Sequence, residues 1–116
     1  MTKLELLRLA AKAVADTGDL RFANYTVVDE EVGVCLELGA RRGAVTHYWN
    51  PLRSLSEAMV LSVKLQIDTK HHGDHVVCWY DGGFMGTGRV PYNDKPCEAT
   101  CLAIAMAAAE IGRSES

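Results

Sequence analysis

Apolar residues recur at helical spacing in three stretches of this chain and alternate with polar ones in the segments between. Leu4, Leu7, Ala11 and Val14 mark the first stripe. Thr2 and Glu5 stand before it as a capping box, each side chain placed to satisfy a backbone N–H at the helix start, and Gly18 suits the left-handed residue that ends it. The pattern predicts a helix from Lys3 to Thr17. A second capping box, Ser54 and Glu57, opens the next stripe, and Pro51 pushes Asn50 off helical dihedrals, so this helix starts no earlier than about Pro51. Leu55, Ala58, Met59, Leu61, Val63, Leu65 and Ile67 form a wide apolar face, while Arg53, Glu57, Lys64 and Asp68 share the opposite one, broken only by Val60. A helix so patterned is expected to bury most of its girth and show one thin charged stripe. Trp49, just before the turn, is expected in the core, sealing that helix against a sheet. The third stripe runs Cys97, Cys101, Ile104, Ala108 and Ile111, joined by Leu102, Ala105 and Ala109. It predicts a helix from Lys95 or Pro96, with Asp94 a candidate cap, to Gly112. Within it only Glu98 and Glu110 are charged. Such a helix calls for contact on more than one side, deep in the monomer or against a second subunit.

The intervening segments read as strands. Phe22, Tyr25, Val27 and Val28 suggest a short strand after a loop, and Asp29-Glu30-Glu31 a charged turn. Val32, Val34, Leu36 and Leu38 alternate with Gly33, Cys35 and Glu37, the period of a strand with one buried face. Gly39 to Gly43 has the composition of a hairpin loop, returning into a strand of Val45, His47 and Trp49 alternating with Ala44, Thr46 and Tyr48. Thr69 to Asp74 is polar enough for an exposed loop. His75 to Tyr80, HVVCWY, is apolar on both faces and is expected inside a sheet with cover on each side. Asp81-Gly82-Gly83 turns the chain into Phe84 to Val90, a glycine-weakened edge strand, and Pro91 to Asp94 is a further turn. Arg113 to Ser116 reads as a frayed tail. The sum is an α+β fold: a three-layer α/β/α sandwich, its antiparallel or mixed sheet of four to five strands accompanied by three helices, in a single domain over residues 1–116.

Composition adds limits. A chain of 116 residues can hold one hydrophobic core, and its 48% apolar and 23% charged residues are those of an ordinary globular protein. The net charge of −3 offers no general attraction to phosphate backbones, which weighs against nucleic acid as a partner. No run approaches the roughly 18 apolar residues of a membrane span. Glu5, Arg8, Lys12 and Asp16 interrupt any signal-peptide core, so a reducing cytoplasm is the expected compartment. Cys35, Cys78, Cys97 and Cys101 are there expected as thiols rather than disulfides.

The most chemical-looking cluster is His71, His72, His75 and Cys78, since imidazole and thiolate ligate zinc and similar metals. The spacing H-H-x-x-H-x-x-C matches no standard site, and on a strand His75 and Cys78 face opposite ways. The plainer reading is an exposed loop whose histidines gain charge below about pH 6.5. Cys97 and Cys101, one helical turn apart, pose a similar choice between a thiol activated by the helix terminus and core filling; the apolar stripe they share favours the core. Gly82-Gly83-x-x-Gly86-x-Gly88 lacks the lysine and following helix of a phosphate loop. Arg41 and Arg42 with Tyr48 and Trp49 could form a basic-aromatic surface for single-stranded nucleic acid, against the plainer reading of a solvated hairpin tip. Asp29, Glu30 and Glu31 lack the apolar setting that would tune a carboxyl for acid–base work.

A strand running into the W-N-P-L turn of Trp49, Asn50, Pro51 and Leu52 leads to a helix carrying Ala58, Leu61, Lys64, Leu65 and Ile67. Two strands later comes an alanine-rich helix with Pro96, Ala99, Thr100, Ala103, Ile104, Ala107 and Ala108. Over most of its length the chain thereby resembles the phage ABA sandwich domain family, small proteins of bacteriophages and prophages with no settled biochemical activity. The resemblance implies α/β/α layering and supplies no catalytic residues; the H-H-G-D-H segment is not part of it. The expected function is that of a phage- or prophage-encoded accessory protein, non-catalytic and without cofactor. It would act through protein–protein contact, as a homo-oligomer, in the bacterial cytoplasm. The alternatives are single-stranded nucleic-acid binding through the Arg41–Trp49 hairpin and metal binding by His71, His72 and His75.

Overall fold

A computed structural model describes residues 1–38 and 45–114. Among them the chain forms three helices and two antiparallel sheets, an α+β fold. Helix α1 spans Lys3–Asp16; the Thr2 hydroxyl accepts from the Glu5 N–H at 3.1 Å, and Gly18 has φ +87°. A 3-10 turn at Leu20–Phe22 leads into β1 (Tyr25–Asp29), β2 (Gly33–Leu38) and β3 (Val45–Trp49), paired in that order. Helix α2 is Leu55–Leu65. The second sheet is β4 (Asp68–His71), β5 (His75–Tyr80), β6 (Met85–Gly86) and β7 (Val90–Pro91), with β5 paired to the other three. Helix α3 is Pro96–Ser114.

Two sheets of three and four strands thus replace the single sheet of four to five expected. The first is a meander, the second is built around β5, and α2 separates them in the chain. The additional strand is β4, in a stretch read as loop. Its polar side chains suit an edge, where backbone pairing to β5 is enough and charge discourages further pairing. The strand expected over Phe84 to Val90 is instead two two-residue pieces. Between them Thr87 bridges to β5: its N–H donates to the Cys78 carbonyl at 2.9 Å and its hydroxyl accepts from the Cys78 N–H at 3.1 Å.

The core sits where α3 meets α1 and β5. Ala99, Ala103, Ala105, Ala107, Ala108 and Ala109 are all buried, so the alanine face of α3 is consumed inside the monomer. Gly112 does not end α3, which continues to Ser114 through residues read as frayed tail. It marks a close crossing: a Cβ there would collide with the Leu9 carbonyl oxygen and stand 3.3 Å from the Ala13 nitrogen. Lys12 Nζ crosses the same seam to donate to the Gly112 carbonyl at 3.1 Å. On β5, Val76, Cys78 and Tyr80 join this core, whereas Trp79 on the second face is exposed above Gly86. The cover expected on both faces of HVVCWY is therefore incomplete on one.

The W-N-P turn ties the two halves together. Trp49 is 8% exposed, edge-on to Phe22 with ring centroids 4.9 Å apart. The buried Asn50 amide donates to the carbonyls of Glu30 and Glu31, both at 3.0 Å, and its Oδ1 accepts from the Leu52 N–H at 3.0 Å. Gly33, at φ +92°, lets β2 pass so near that a Cβ would lie 2.6 Å from that of Asn50. The capping box at α2 is only half as expected. Ser54 accepts from the Glu57 N–H at 3.3 Å, but the Glu57 carboxylate accepts from the Asn50 N–H, one turn further back.

Candidate functional site

The structure separates the groups that the sequence suggested as sites. His71 lies on β4, its Nδ1 hydrogen-bonded to the Tyr92 hydroxyl. His72 and His75 stack face to face at 4.8 Å, and His75 Nδ1 meets Asp74 Oδ1 at 2.7 Å. That hydrogen bond to His75 holds the Asp74 carboxyl below its ordinary range. Cys78 is buried on the far side of β5, its Sγ 3.6 Å from Thr69 Oγ1, and burial pushes its thiol up. Among the described residues no three His, Cys, Asp or Glu side chains are grouped to hold a metal ion. His72 and His75 come together as a stacked pair, whereas His71 is held by Tyr92, so the three do not form one ligand set.

Arg41 and Arg42 lie outside the described residues. Of their proposed partners Tyr48 is exposed, but Trp49 packs on Phe22 in the core and has no free face for a base. Cys97 and Cys101 also part company. Cys101 is buried, which raises its pKa, with Cys97 adding to the rise; Cys97 itself is exposed, contrary to the core position expected of it. Pro96, Cys97 and Glu98 at the start of α3 are exposed, so of the two cysteines only Cys101 is covered.

Two surfaces emerge that sequence reasoning did not find. The first is a cleft of about 630 Å³ between the turn after β1, the W-N-P turn and the first turns of α3. Glu30, Glu31 and Glu98 share its rim with Lys3, Arg53 and Lys95, and both Cys97 and Cys101 line it. The charges balance, and Lys95 and Glu98 already approach one another at 3.9 Å. Asn50 sets its shape by pinning the Glu30–Glu31 turn to the start of α2. The available signal was the asparagine itself: an Asn before Pro readily bonds backbone two residues on, as Asn50 does with Leu52.

The second surface is the outer face of α2. Only Ala58, Leu61 and Ser62 of this helix are buried. Leu55, Met59, Val60 and Val63 are 39%, 45%, 57% and 77% exposed, which reverses the expectation that α2 would bury most of its girth. α2 rests mainly on α3, and a single flanking helix covers one strip of it. Leu55, Met59 and Val63 follow at i, i+4, i+8, with Val60 beside them, and Ser56 is the only polar side chain in that arc. Lys64, at the arc's edge, is paired with Asp19, the residue before the exposed Leu20. The four α2 side chains alone present on the order of 400 Å² of apolar surface, as large as the largest patch on an ordinary monomer.

Among the described residues no helix is long and apolar enough to cross a membrane. No family model matches the chain, and neither a curated protein nor a solved structure matches it.

Proposed function

We propose that the protein is a small phage- or prophage-encoded accessory protein of the host cytoplasm that acts without catalysis, through protein–protein contact, as a homo-oligomer built on the outer face of α2. The phage origin rests on the resemblance carried by the W-N-P-L turn and the two helices after it. The observation that carries the mode of action is the uncovered stripe Leu55, Met59, Val60 and Val63.

The occupant of that stripe is a second copy. Leu55 and Val63 stand four residues either side of Met59, so two α2 helices laid antiparallel about a two-fold axis at Met59 place Leu55 against the partner's Val63. No charge lies in the arc, so self-apposition brings no like charges together. At roughly 400 Å² per protomer the stripe falls short of the ~800 Å² per partner of a standard interface. The association is accordingly weak and concentration-dependent.

Sedimentation equilibrium tests this. Wild-type protein is expected to shift from monomer to dimer with concentration, and Val63→Glu and Met59→Lys to stay monomeric with unchanged circular dichroism. A wild-type monomer at the highest soluble concentration, or a dimer that survives both substitutions, refutes the assignment.

A further inference from the structure

We propose that Cys97 and Cys101 form a two-thiolate site for a soft, two-coordinate cation of the Cu(I) type. Both thiols line one wall of the 630 Å³ cleft, one helical turn apart on α3, with Cys97 exposed and Cys101 behind it. Side chains at this spacing have Cβ atoms about 5–6 Å apart. Two metal–thiolate bonds of about 2.3 Å laid end to end separate their sulfurs by roughly 4.6 Å, a distance that rotation of the uncovered Cys97 side chain can supply.

The donor set selects the ion. Thiolates prefer soft cations. Zinc in a closed protein site takes four ligands, and among the described residues no third His, Cys, Asp or Glu is grouped with this pair. A cation content with two sulfurs in line lacks nothing here. Cys35 lies on β2, and Cys78, on β5, is hydrogen-bonded to Thr69 of β4; neither lines the cleft.

Binding is a ligand exchange without electron transfer. Two S–H bonds and the bonds from copper to the chelator that delivers it break, two S–Cu bonds form, two protons leave to solvent, and copper remains Cu(I). The bis-thiolate complex carries one negative charge; Lys3, Arg53 and Lys95 on the cleft rim favour it, and Glu30, Glu31 and Glu98 on the same rim oppose it. Because both protons must be displaced, affinity falls as pH falls.

The test is a competition titration of the reduced full chain with Cu(I) held by a chromogenic chelator. One copper per chain is expected, retained by Cys35→Ser and not displaced by zinc. Cys97→Ser and Cys101→Ala should each weaken binding by more than the roughly 10–100-fold that loss of an outer-shell partner costs, since a ligand itself is lost. X-ray absorption on the loaded protein should find two sulfur neighbours. Cys97 is exposed, so its serine variant keeps the fold and remains decisive if Cys101→Ala does not. No copper withheld from the chelator, unchanged affinity in Cys97→Ser, three or more ligands, or one copper shared by two chains overturns the site.

Discussion

Replacing Gly112 by alanine in the interior of an exposed helix would gain about 1 kcal/mol from helix propensity alone. Here the sign reverses. The new Cβ would overlap the Leu9 carbonyl oxygen and lie 3.0 Å from the Leu9 carbonyl carbon and 3.3 Å from the Ala13 nitrogen. All three are backbone atoms of α1, so no side chain can swing aside. An ordinary C···O approach of about 3.3–3.6 Å requires the helices to part by on the order of an ångström. That opens the seam where Leu6, Leu9 and Ala109 pack, and stretches the Lys12 bond to the Gly112 carbonyl. Overpacking of this kind costs about 1–3 kcal/mol and the weakened hydrogen bond about 0.5–1.5 kcal/mol. After the propensity gain is subtracted, Gly112→Ala is expected to destabilise by about 1–3 kcal/mol. Urea unfolding followed by circular dichroism measures it, with a matching fall in Tm of roughly 3–6 °C per kcal/mol for a domain of this size. A variant as stable as wild type, or more stable by the propensity increment, would show that α1 and α3 do not approach closely at this point.

Two further perturbations probe the W-N-P turn and the end of α2. Asn50→Ala removes three hydrogen bonds from a buried turn and is expected to cost about 2–4 kcal/mol, with Asn50→Asp at least as damaging because a carboxylate would face the Glu30 and Glu31 carbonyls. A loss below about 0.5 kcal/mol in urea unfolding would deny the turn its anchoring role. Asp19, whose side chain is buried, is held well below the usual carboxylate range chiefly by its hydrogen bond to Arg21 and also by Lys64. A depressed folded-state pKa means that its stabilisation is fully present above about pH 3.9 and is lost as pH falls below that toward the folded value. Since both cations stand partly in water, Asp19→Asn should cost only about 1 kcal/mol at neutral pH. The difference from wild type should shrink as the solution is acidified below the carboxylate range, and a difference indifferent to pH would refute the pairing.

Local chemistry was legible along the chain, and neighbours were not. Thr2 and Ser54 declare their caps because the bonds they make reach only three residues, and Gly18 declares a left-handed end in the same way. The alternation through Val34 and Leu36 marked a buried face, but Val32, read with them, falls in the turn and is exposed. β4 escaped notice since an edge strand of Asp68, Thr69, Lys70 and His71 needs no apolar side chain to pair. Asn50 was read only through the proline after it, although its own amide reaches twenty residues back to Glu30. Cys97 was placed in the core because a helical stripe says which residues share a face, and not whether another element stands opposite.

That last distinction also moves the proposed interface. An alanine-rich, nearly uncharged α3 suggested either deep burial or a subunit contact, and α2 suggested burial. In the fold the small side chains of α3 let α1 approach to backbone contact at Gly112, while α2, β5 and β7 contact it as well. α3 therefore spends its apolar surface within the monomer, and α2, left mainly to one neighbour, keeps half of its own. The proposed self-association consequently does not depend on the feature that first suggested it. The proposal rests on Leu55, Met59, Val60 and Val63, which stay exposed in one chain and are spaced to meet a second copy about a two-fold axis at Met59.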